Sequence, residues 1–581
     1  MLSIPGSSSR RTSTLVLLIA FSLLPSVAGC QEESGEFYGV TRPRHGVDEF
    51  WYNLGSDPEW LDPGLATDSA SGVVLLNLFS GLVQLHPQTL EPMPDIAEDW
   101  QILDEGRRYR FVLRKSVWSD GVSVTAHDFV FAFQRVLNPD TGSRYANFLF
   151  PILNAKAVNE GNAEPQELGV KALSDRLLEI RLEKPVPYFL SVLAFYTSMP
   201  VPRHVLRRLE ARGIDPGRWT RPEHIVSNGA YVLKRWRFRR DMLLEKNSRY
   251  WDVSAVKMKR VKLLMVDSYN TTLNLYKAGE LDHIGQSSLP SEFMDYLSRF
   301  KDFRRGKSLS VYLLWLNVKR PPLDDVRVRK ALSLAIDRRA LVRHVTRGGQ
   351  IPSADLVPDG LAGYHGLGLR LFDPERARAL LREAGYSKDH PLPPITYKYN
   401  TSEGHKQIAE AIQQMWKKQL GIDARIENEE WRVYLKSLET RNFQVGRLGW
   451  VADYADPNTF LELLLSNNGN NHSNWGNPRV DQVIELANNL SNKGERLAKL
   501  RQAEALALSA QPMIPLYVYT RSELVKPYVR GAYMNYQSRD LFKYVTIDSR
   551  YYQGVPEPLP EFQVPLRKPR SASTGERRLQ P

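Results

Sequence analysis

A strand pattern and a helix pattern follow one another between residues 109 and 137. Apolar side chains occupy every second position at Tyr109, Phe111 and Leu113, which predicts a strand with one buried face. An Asp-Gly pair then marks a chain reversal. Thr125, with Asp128 three residues later, predicts a capping box at the start of a helix. The inward face of that helix is expected to consist of Phe129, Ala132, Phe133 and Val136.

A second helix pattern covers residues 405–420. It ends at Gly421, which is typical of a helix C-terminus, and Ile422, Ala424 and Ile426 then alternate as in a strand. The inward side chains are expected to be Ile408, Ala411, Ile412, Met415 and Leu420. Since the chain has no internal repeat, we expect two or more α/β units.

The start of the chain has the pattern of an export signal. An apolar run at 15–24 follows Arg10 and Arg11, and it is too short to span a bilayer. The sequence "SVAGC" ends at Cys30 and resembles the lipobox of bacterial lipoproteins, in which the cysteine becomes the lipidated N-terminus. An ordinary signal peptide with an incidental cysteine is the alternative. Because Cys30 is the only cysteine, an intramolecular disulfide is excluded.

Length and charge narrow the class of protein. At 581 residues and 66.4 kDa, the chain is long enough for several structural units. Its net charge is +13, of which the last fifteen residues supply +4 and the two N-terminal arginines +2, so +7 is spread over the remainder. No recognisable nucleic-acid motif accompanies this charge, so nucleic-acid binding is not expected.

Motifs of enzyme chemistry are missing from the sequence. We find no Gly-x-Ser-x-Gly elbow, no His-Glu-x-x-His metal helix and no phosphate-binding glycine loop. The eleven histidines are scattered and have no paired nucleophile. We therefore expect a binding protein without catalytic residues, metal or cofactor.

Residues 446–460, "GRLGWVADYADPNTF", have neither helical nor strand periodicity. They combine Trp450 with two acids, Asp453 and Asp456, in a segment of irregular backbone. Asp456 precedes Pro457 and suits the role of a cap for a helix that begins at Asn458. Asp453 has either a similar loop role or a role in ligand binding.

Several motifs, in order along the chain, resemble those of the oligopeptide-binding proteins of bacterial peptide ABC importers. They include "WSDGVSVTAHDFVFAFQRVLNP", "IVSNGAYVLKRW", "LYKAGELD", "PPLDDVRVRKALSLAIDR" and "GWVADYADPNTF". The similarity extends from about Phe50 to about Asp548. It implies an α/β protein with a two-lobed periplasmic-binding-protein-like fold, an additional inserted subdomain and a hinge between the lobes.

The resemblance also implies a domain order. The lipoprotein signal peptide (1–29) and a tether (30–46) precede the folded part. Lobe I is expected in three pieces and lobe II in one, with the subdomain inserted in lobe I. The predicted bounds are 47–80, 205–310 and 525–555 for lobe I, 81–204 for the inserted subdomain, 311–524 for lobe II and 556–581 for a disordered basic tail.

By this resemblance, Asp453 accepts from the α-ammonium of a peptide, beside Trp450. A closing cleft removes that ammonium from water, so one fixed carboxylate must pair with it. Arg447 and His405 match positions that reach towards the ligand's C-terminal carboxylate, and solvated surface charges are their alternative.

Four further contacts are implied more weakly. The ring and hydroxyl of Tyr145 would close over the ligand, Trp431 would wall a side-chain pocket, and Ser69 would pair its main chain with the peptide. The alternatives for the two aromatic residues are core positions. Trp315 stands where some relatives have an acid beside the pocket, which leaves Asn317 as a polar contact there.

The function implied is capture of short oligopeptides and delivery to the membrane permease of an ABC transporter. A murein-peptide or sensory receptor on the same fold and a receptor for a non-peptide solute are the alternatives. An amine-binding Asp453 argues against the non-peptide alternative. We expect a monomer, exported to the periplasm or the cell surface and held on a bacterial membrane by lipidated Cys30.

Overall fold

The structure is a computed structural model that describes residues 36–186, 188–285, 289–490, 492–537, 539–550 and 563–569. Phe37–Pro581 form one compact unit, whereas the preceding unit, Met1–Glu36, lies almost wholly outside the described residues. The predicted signal peptide and Cys30 therefore also lie outside them. None of the helices in the described segments combines the length and apolar character needed to span a bilayer.

Twenty strands lie within the described segments. They are β1 (Glu49–Asn53), β2 (Val83–Leu85), β3 (Pro92–Pro94), β4 (Ala97–Leu103), β5 (Arg108–Leu113), β6 (Val170–Ser174), β7 (Leu177–Arg181), β8 (Tyr231–Arg237), β9 (Asp241–Lys246), β10 (Arg260–Leu264), β11 (His283–Ile284), β12 (Phe303–Leu316), β13 (Ile351–Pro352), β14 (Ile395–Asn400), β15 (Ala424–Glu429), β16 (Val445–Arg447), β17 (Trp450–Val451), β18 (Met513–Val525), β19 (Val529–Arg530) and β20 (Thr546–Ile547).

The α-helices of the same segments surround these strands. They are α1 (Ser69–Leu78), α2 (Ala126–Leu137), α3 (Ala155–Asn159), α4 (Phe189–Leu193), α5 (Arg203–Ala211), α6 (Tyr269–Lys277), α7 (Met294–Leu297), α8 (Val326–Leu334), α9 (Arg338–Ala340), α10 (Pro374–Glu383), α11 (Glu403–Leu420), α12 (Trp431–Glu439), α13 (Asn458–Leu461), α14 (Pro478–Asn488) and α15 (Lys493–Ser509).

One mixed sheet of twelve strands runs through most of the molecule. Its order is β15-β14-β16-β12-β18-β11-β1-β10-β9-β8, with β13 also paired to β18 and β17 to β12. The strands β12 and β18, with 14 and 13 residues, are antiparallel partners at its centre. Their register shifts between Lys307 and Val311, so the ladder is interrupted near the middle of both strands.

The central strand β12 contributes to two hydrophobic cores because successive side chains point to opposite faces of a sheet. On one face, the side chains join the larger core, and they are Val311, Leu313 and Trp315. On the other face, they join a second core with α8 and α11, and they are Tyr312, Leu314 and Leu316.

A separate antiparallel sheet, β4-β5-β7-β6, lies within the region predicted as the inserted subdomain. The strand predicted around Tyr109 is β5, which alternates intermediate and buried residues. The predicted capping box is present, because Thr125 and Asp128 bond to each other's backbone at the start of α2. The four residues predicted for its inward face are all buried.

The helix α11 follows its prediction with one difference. It ends at Gly421, whose φ of 70° is the left-handed conformation that favours glycine. Ile408 and Ile412 are buried, whereas Trp416, which the prediction left off the inward face, is fully buried and donates from Nε1 to the Leu332 carbonyl (2.9 Å). The three other predicted residues, Ala411, Met415 and Leu420, are partly buried.

Part of the predicted disordered tail is described and makes contacts. Residues 563–569 are irregular, and the Val564 carbonyl accepts a hydrogen bond from His86 Nε2 (2.7 Å). Arg567 forms an ion pair with Asp252 (2.9 Å) and lies over the ring of Trp251. This short segment of the basic tail is therefore packed against the folded unit.

Candidate functional site

A cavity of about 380 Å³ lies beside the interruption in the central strands. Ser308 and Ser310 of β12 form part of its wall. Seven of the eight residues predicted to contact a ligand line this cavity, and they are Ser69, Tyr145, His405, Trp431, Arg447, Trp450 and Asp453. The fold thus brings together residues that are as much as 384 positions apart in the sequence.

Asp453 is a buried acid with few partners. It follows β17 and is 8% exposed, and its Oδ1 accepts a hydrogen bond from Tyr145 Oη (3.3 Å). Burial, and after it the Glu462 carboxylate, raise the pKa of Asp453 well above its ordinary value. An ionised carboxyl group at this position therefore requires a cation in the cavity.

Arg539 is a buried cation that acts on Asp453, but its guanidinium already donates to two main-chain carbonyls. Its guanidinium donates to the Ala194 carbonyl (3.0 Å) and to the Asp453 carbonyl (2.9 Å). Arg539 opposes the rise in the pKa of Asp453 without reversing it. Arg539 was not predicted as a site residue, because no motif in the sequence around it indicates a functional arginine.

Asp456 has the structural role that was the alternative for Asp453. Its Oδ1 accepts from the Asn458 N–H (3.0 Å) at the start of α13, and Arg496 pairs with both carboxylate oxygens at 2.8 Å. Asp453 takes no part in this cap, because its own N–H donates to Thr459 Oγ1 (3.0 Å) and its carboxylate points to Tyr145.

Aromatic rings form the wall around Asp453. The ring of Tyr145 lies 6.2 Å from Trp450 and 5.1 Å from Phe195 between centroids. Trp450 Nε1 is buried and has no hydrogen-bond partner among the residues that the structure describes. This wall offers apolar surface together with one unused N–H donor.

Arg447 and His405 lie together at the cavity. Arg447 donates to Asn400 Oδ1 (3.2 Å) and Tyr519 Oη (2.7 Å), while its Nε has no partner in the described part of the chain. No ion pair to Arg447 is found among the described residues, although the side chain is buried. Burial and the Arg447 charge hold the pKa of His405 well below its ordinary value, so His405 is neutral. Arg447 is therefore the unneutralised cation of this pair.

Trp431 and Ser69 both line the cavity and are connected through Asp68. Trp431 is the first residue of α12, and its Nε1 donates to Asp68 Oδ1 (3.4 Å). Asp68 also caps α1 by accepting from the Ser71 N–H (3.0 Å), and Ser69 is the exposed first residue of that helix. Sequence reasoning missed Asp68, although its spacing to Ser71 is a helix-cap signal.

Asn317 does not line this cavity. Its amide donates to the carbonyls of Arg441 (3.0 Å) and Phe443 (3.2 Å), and its Oδ1 accepts from Asn474 (3.0 Å). Trp315 is fully buried against the edge of His472, with 5.3 Å between centroids, and does not line the cavity either. The polar contact expected from Asn317 is instead a set of internal hydrogen bonds.

Within the described segments, no cluster of three or more His, Cys, Asp or Glu side chains is arranged to hold a metal ion. The chemistry of the cavity is therefore that of its charged, aromatic and hydroxyl groups. Asp453 and Arg447, both buried and both without an ion pair in these segments, offer a ligand one acid that pairs with a cation and one arginine that pairs with an anion.

Comparisons with known proteins agree with this arrangement. Residues 91–472 match the family model of bacterial extracellular solute-binding proteins, family 5 Middle. The chain belongs to this solute-binding family. It is 34% identical over 536 residues to the oligopeptide-binding protein OppA of Bacillus subtilis, covering 90% of this chain and 97% of the relative.

Solved structures share the two-lobed α/β fold. The Haemophilus influenzae OppA complex with the peptide RPPGFSPFR superimposes with a TM-score of 0.83 at 31% identity, covering 87% of this chain and 99% of that one. The Escherichia coli murein tripeptide binding protein MppA gives 0.83 at 33% identity, covering 87% and 99%. Its unliganded open form gives only 0.58, with 88% and 98% covered. The conformation described here therefore differs from that open form.

Proposed function

We propose that this family member is the substrate-binding component of an ABC peptide importer. It captures short oligopeptides in extended form between two closing lobes and passes them to a membrane permease. The observation that carries this proposal is one cavity that holds a buried acid, Asp453, whose ionised form needs a further cation, and a buried arginine, Arg447, that has no ion pair among the described residues. A peptide with free termini supplies the matching ammonium and carboxylate.

The spacing of the two charges supports an extended peptide. Arg447 lies opposite Leu314 and Val451 opposite Ser310, which separates them by four residues along β12, or about 13 Å. Asp453 is two residues farther on. Three extended peptide residues span about 10 Å, so peptides of roughly three to six residues have the length to bridge both charges.

The binding residues in this proposal are Asp453 for the N-terminal ammonium and Arg447, with neutral His405 beside it, for the C-terminal carboxylate. Tyr145, Trp450 and Trp431 supply the walls, and the main chain at Ser69 pairs with the peptide. Asn317 is left out because its polar groups are already bonded. The protein acts by binding and release and has no catalytic step.

Native mass spectrometry of the purified protein tests the proposal. We expect a ladder of co-purified species whose extra masses are those of intact short peptides. After denaturation and refolding, an added free-amine tripeptide should bind again and be recovered uncleaved. A protein that carries no peptide and binds none would contradict the proposal, and cleaved products would indicate a peptidase.

A murein-peptide receptor is the second candidate, because the similarity to MppA equals that to the OppA proteins. The same spectrum separates the two candidates. A single bound mass matching a murein peptide would favour the second candidate, whereas a broad ladder favours general peptide uptake.

The lipoprotein assignment belongs to the proposal as well. The motif "SVAGC" supports cleavage before Cys30 and its acylation, which would hold the protein on the outer face of a bacterial membrane as a monomer. Cys30→Ala should abolish acylation and release the protein into the soluble fraction. Native protein without a lipid mass, or a variant that stays on the membrane, would contradict this assignment.

A further inference from the structure

Arg144 is a further cation in the cavity wall, and the proposed binding of the two peptide termini by Asp453 and Arg447 does not involve it. It lines the cavity beside Tyr145, with 15% of its side chain exposed. Its single ion-pair contact within the described segments is Glu59 Oε2, at 3.6 Å. That oxygen is buried and accepts no hydrogen bond from any described residue, so its contact with Arg144 is weak. In the same segments, no hydrogen bond leaves the Arg144 guanidinium, and its donors are available to a ligand.

The backbone at Arg144 is held by close packing. A Cβ atom at Gly469 would lie 2.9 Å from the Arg144 carbonyl oxygen and 3.0 Å from its Cα, so only glycine fits there. The segment after Gly469 supplies Asn470 and His472 to the same cavity wall. Arg144 is thus fixed against a second element of the site.

The acids near Arg144 compensate its charge only in part. Asp68 already accepts from the Ser71 N–H, from Trp431 and from the Glu59 N–H. Burial raises the pKa of Glu59 to about 7, against the effect of Arg144, so Glu59 is partly neutral at pH 7. His472 adds no negative charge. A carboxylate brought by a ligand would find a cation whose own partners are weak.

We propose that Arg144 lines a side-chain subsite that selects an acidic residue of the bound peptide. The guanidinium fork matches a carboxylate in a bidentate contact, and the loose contact with Glu59 is given up on binding. Basic side chains are disfavoured at this subsite, because the Arg144 guanidinium carries the same charge and lines the cavity there. This inference rests on the proposed peptide-binding function.

Calorimetry with a matched peptide set tests the inference. Tetrapeptides with free termini carry Glu, Gln or Lys at one position at a time against a background of alanine. On native protein, we expect one position at which Glu binds about tenfold more tightly than Gln, with Lys the weakest. Arg144→Gln should remove this preference, and a thermal unfolding midpoint like that of native protein would show that the variant is folded.

Three further variants sharpen the test. Arg144→Lys should keep a reduced preference for Glu, and Glu59→Gln should increase it because the competing carboxylate is gone. Arg441→Gln is the matched control, since Arg441 is exposed, lies near His472 and does not line the cavity, and it should behave as native.

Two results would overturn the inference. One is an equal or weaker affinity for Glu than for Gln at every position of the native protein. The other is a preference for Glu that survives in Arg144→Gln. Failure of the proposed function looks different, because native protein would then bind none of the tetrapeptides.

Discussion

At the scale of single residues, the structure gives different roles to two aspartates that the sequence alone does not distinguish. Asp453 and Asp456 are three positions apart, yet Asp456 holds a helix start and Arg496, whereas Asp453 is bonded by its side chain to Tyr145 alone among the hydrogen bonds described. Burial without a cation makes Asp453 a costly residue for the empty protein. Such a cost is understandable where a ligand supplies the missing charge.

His472 gives a prediction at this scale. Burial, and after it the Arg144 guanidinium, lower the pKa of His472 to about 3, whereas an unfolded histidine has a pKa of about 6.5. Below pH 6.5, His472 binds a proton in the unfolded chain but stays neutral in the folded protein. The free energy of unfolding therefore falls as the pH falls towards 3. At pH 5 this loss is about 2 kcal/mol.

The substitution His472→Asn should remove that part of the acid sensitivity. Denaturant unfolding of native and variant protein at pH 7 and pH 5 measures it, and the comparison between the two pH values cancels any loss of packing. An identical pH dependence in both proteins would contradict a neutral, buried His472.

At the scale of elements, short sequence motifs predicted the helix ends that depend only on residues close by in the sequence. The capping box of α2 and the glycine end of α11 are of this kind, and both are confirmed. Trp416 was missed because an aromatic residue near lysines has no local sign of burial. Its place is decided by the Leu332 carbonyl on α8, 84 positions away.

The candidate site was predicted by resemblance more than by pattern. Seven predicted residues line the cavity, but no periodicity in the sequence marks them. Asn317 does not line the cavity, because its side chain is held by hydrogen bonds to three groups that are distant in the sequence. These groups are the carbonyls of Arg441 and Phe443 and the amide of Asn474. Arg144, Asp68 and Arg539 were missed for the same physical reason, since tertiary contacts alone bring them to the cavity.

Hydrogen bonds connect the N-termini of α6 and α11 at the edge of the cavity, and we call this set of contacts, from Glu403 and Ser402 to Ser268 and Tyr269, the latch. Glu403 opens α11, and its carboxylate accepts from Ser268 Oγ (2.9 Å) and from the Tyr269 N–H (3.1 Å) at the start of α6. Tyr269 Oη also bonds to Ser402 Oγ (2.9 Å). One carboxylate thus serves two helix N-termini, where negative charge is favoured.

The prediction is that Glu403→Gln weakens peptide binding by about tenfold, because the charge-assisted contacts that join α11 to α6 at the edge of the cavity are lost. Glu410→Gln is the matched control on the same helix, since the ion pair that Glu410 forms within the described segments is a surface contact with Lys406 at 3.8 Å. Calorimetry on both variants with one tripeptide gives the comparison. Equal affinities for native protein and Glu403→Gln would rule out the latch.

At the scale of the whole molecule, β12 and β18 connect the two parts of the large sheet. Their register is interrupted between Lys307 and Val311, beside the cavity, and the pairing resumes at Val518 on β18. The sequence predicts the lobe boundaries at 310/311 and 524/525, and both stay predictions. We propose that the interruption marks the first hinge crossing and that Val518, the partner of Val311, lies near the second.

Closure is the prediction that belongs to this scale. The lower TM-score with the open form of MppA indicates that two arrangements exist within the family. A peptide that binds both sides of the cavity favours the closed one, so small-angle scattering should show a smaller radius of gyration on adding peptide. An unchanged radius at saturation would contradict binding by closure.

The central claim is that Asp453 binds the ammonium group of a peptide inside the cavity, and a calorimetric double-mutant cycle tests it most directly. Native protein and Asp453→Asn are each titrated with a free-amine tripeptide and with its N-acetylated form. Loss of the carboxylate beside a buried ammonium costs about 3–5 kcal/mol, so the free-amine peptide should weaken by roughly two to four orders of magnitude.

The acetylated peptide should bind native protein poorly and lose little more on substitution, since the interaction is already absent. The account predicts a large coupling energy between the carboxylate and the ammonium. A coupling energy near zero, with the free-amine tripeptide bound tightly by both proteins, would contradict it.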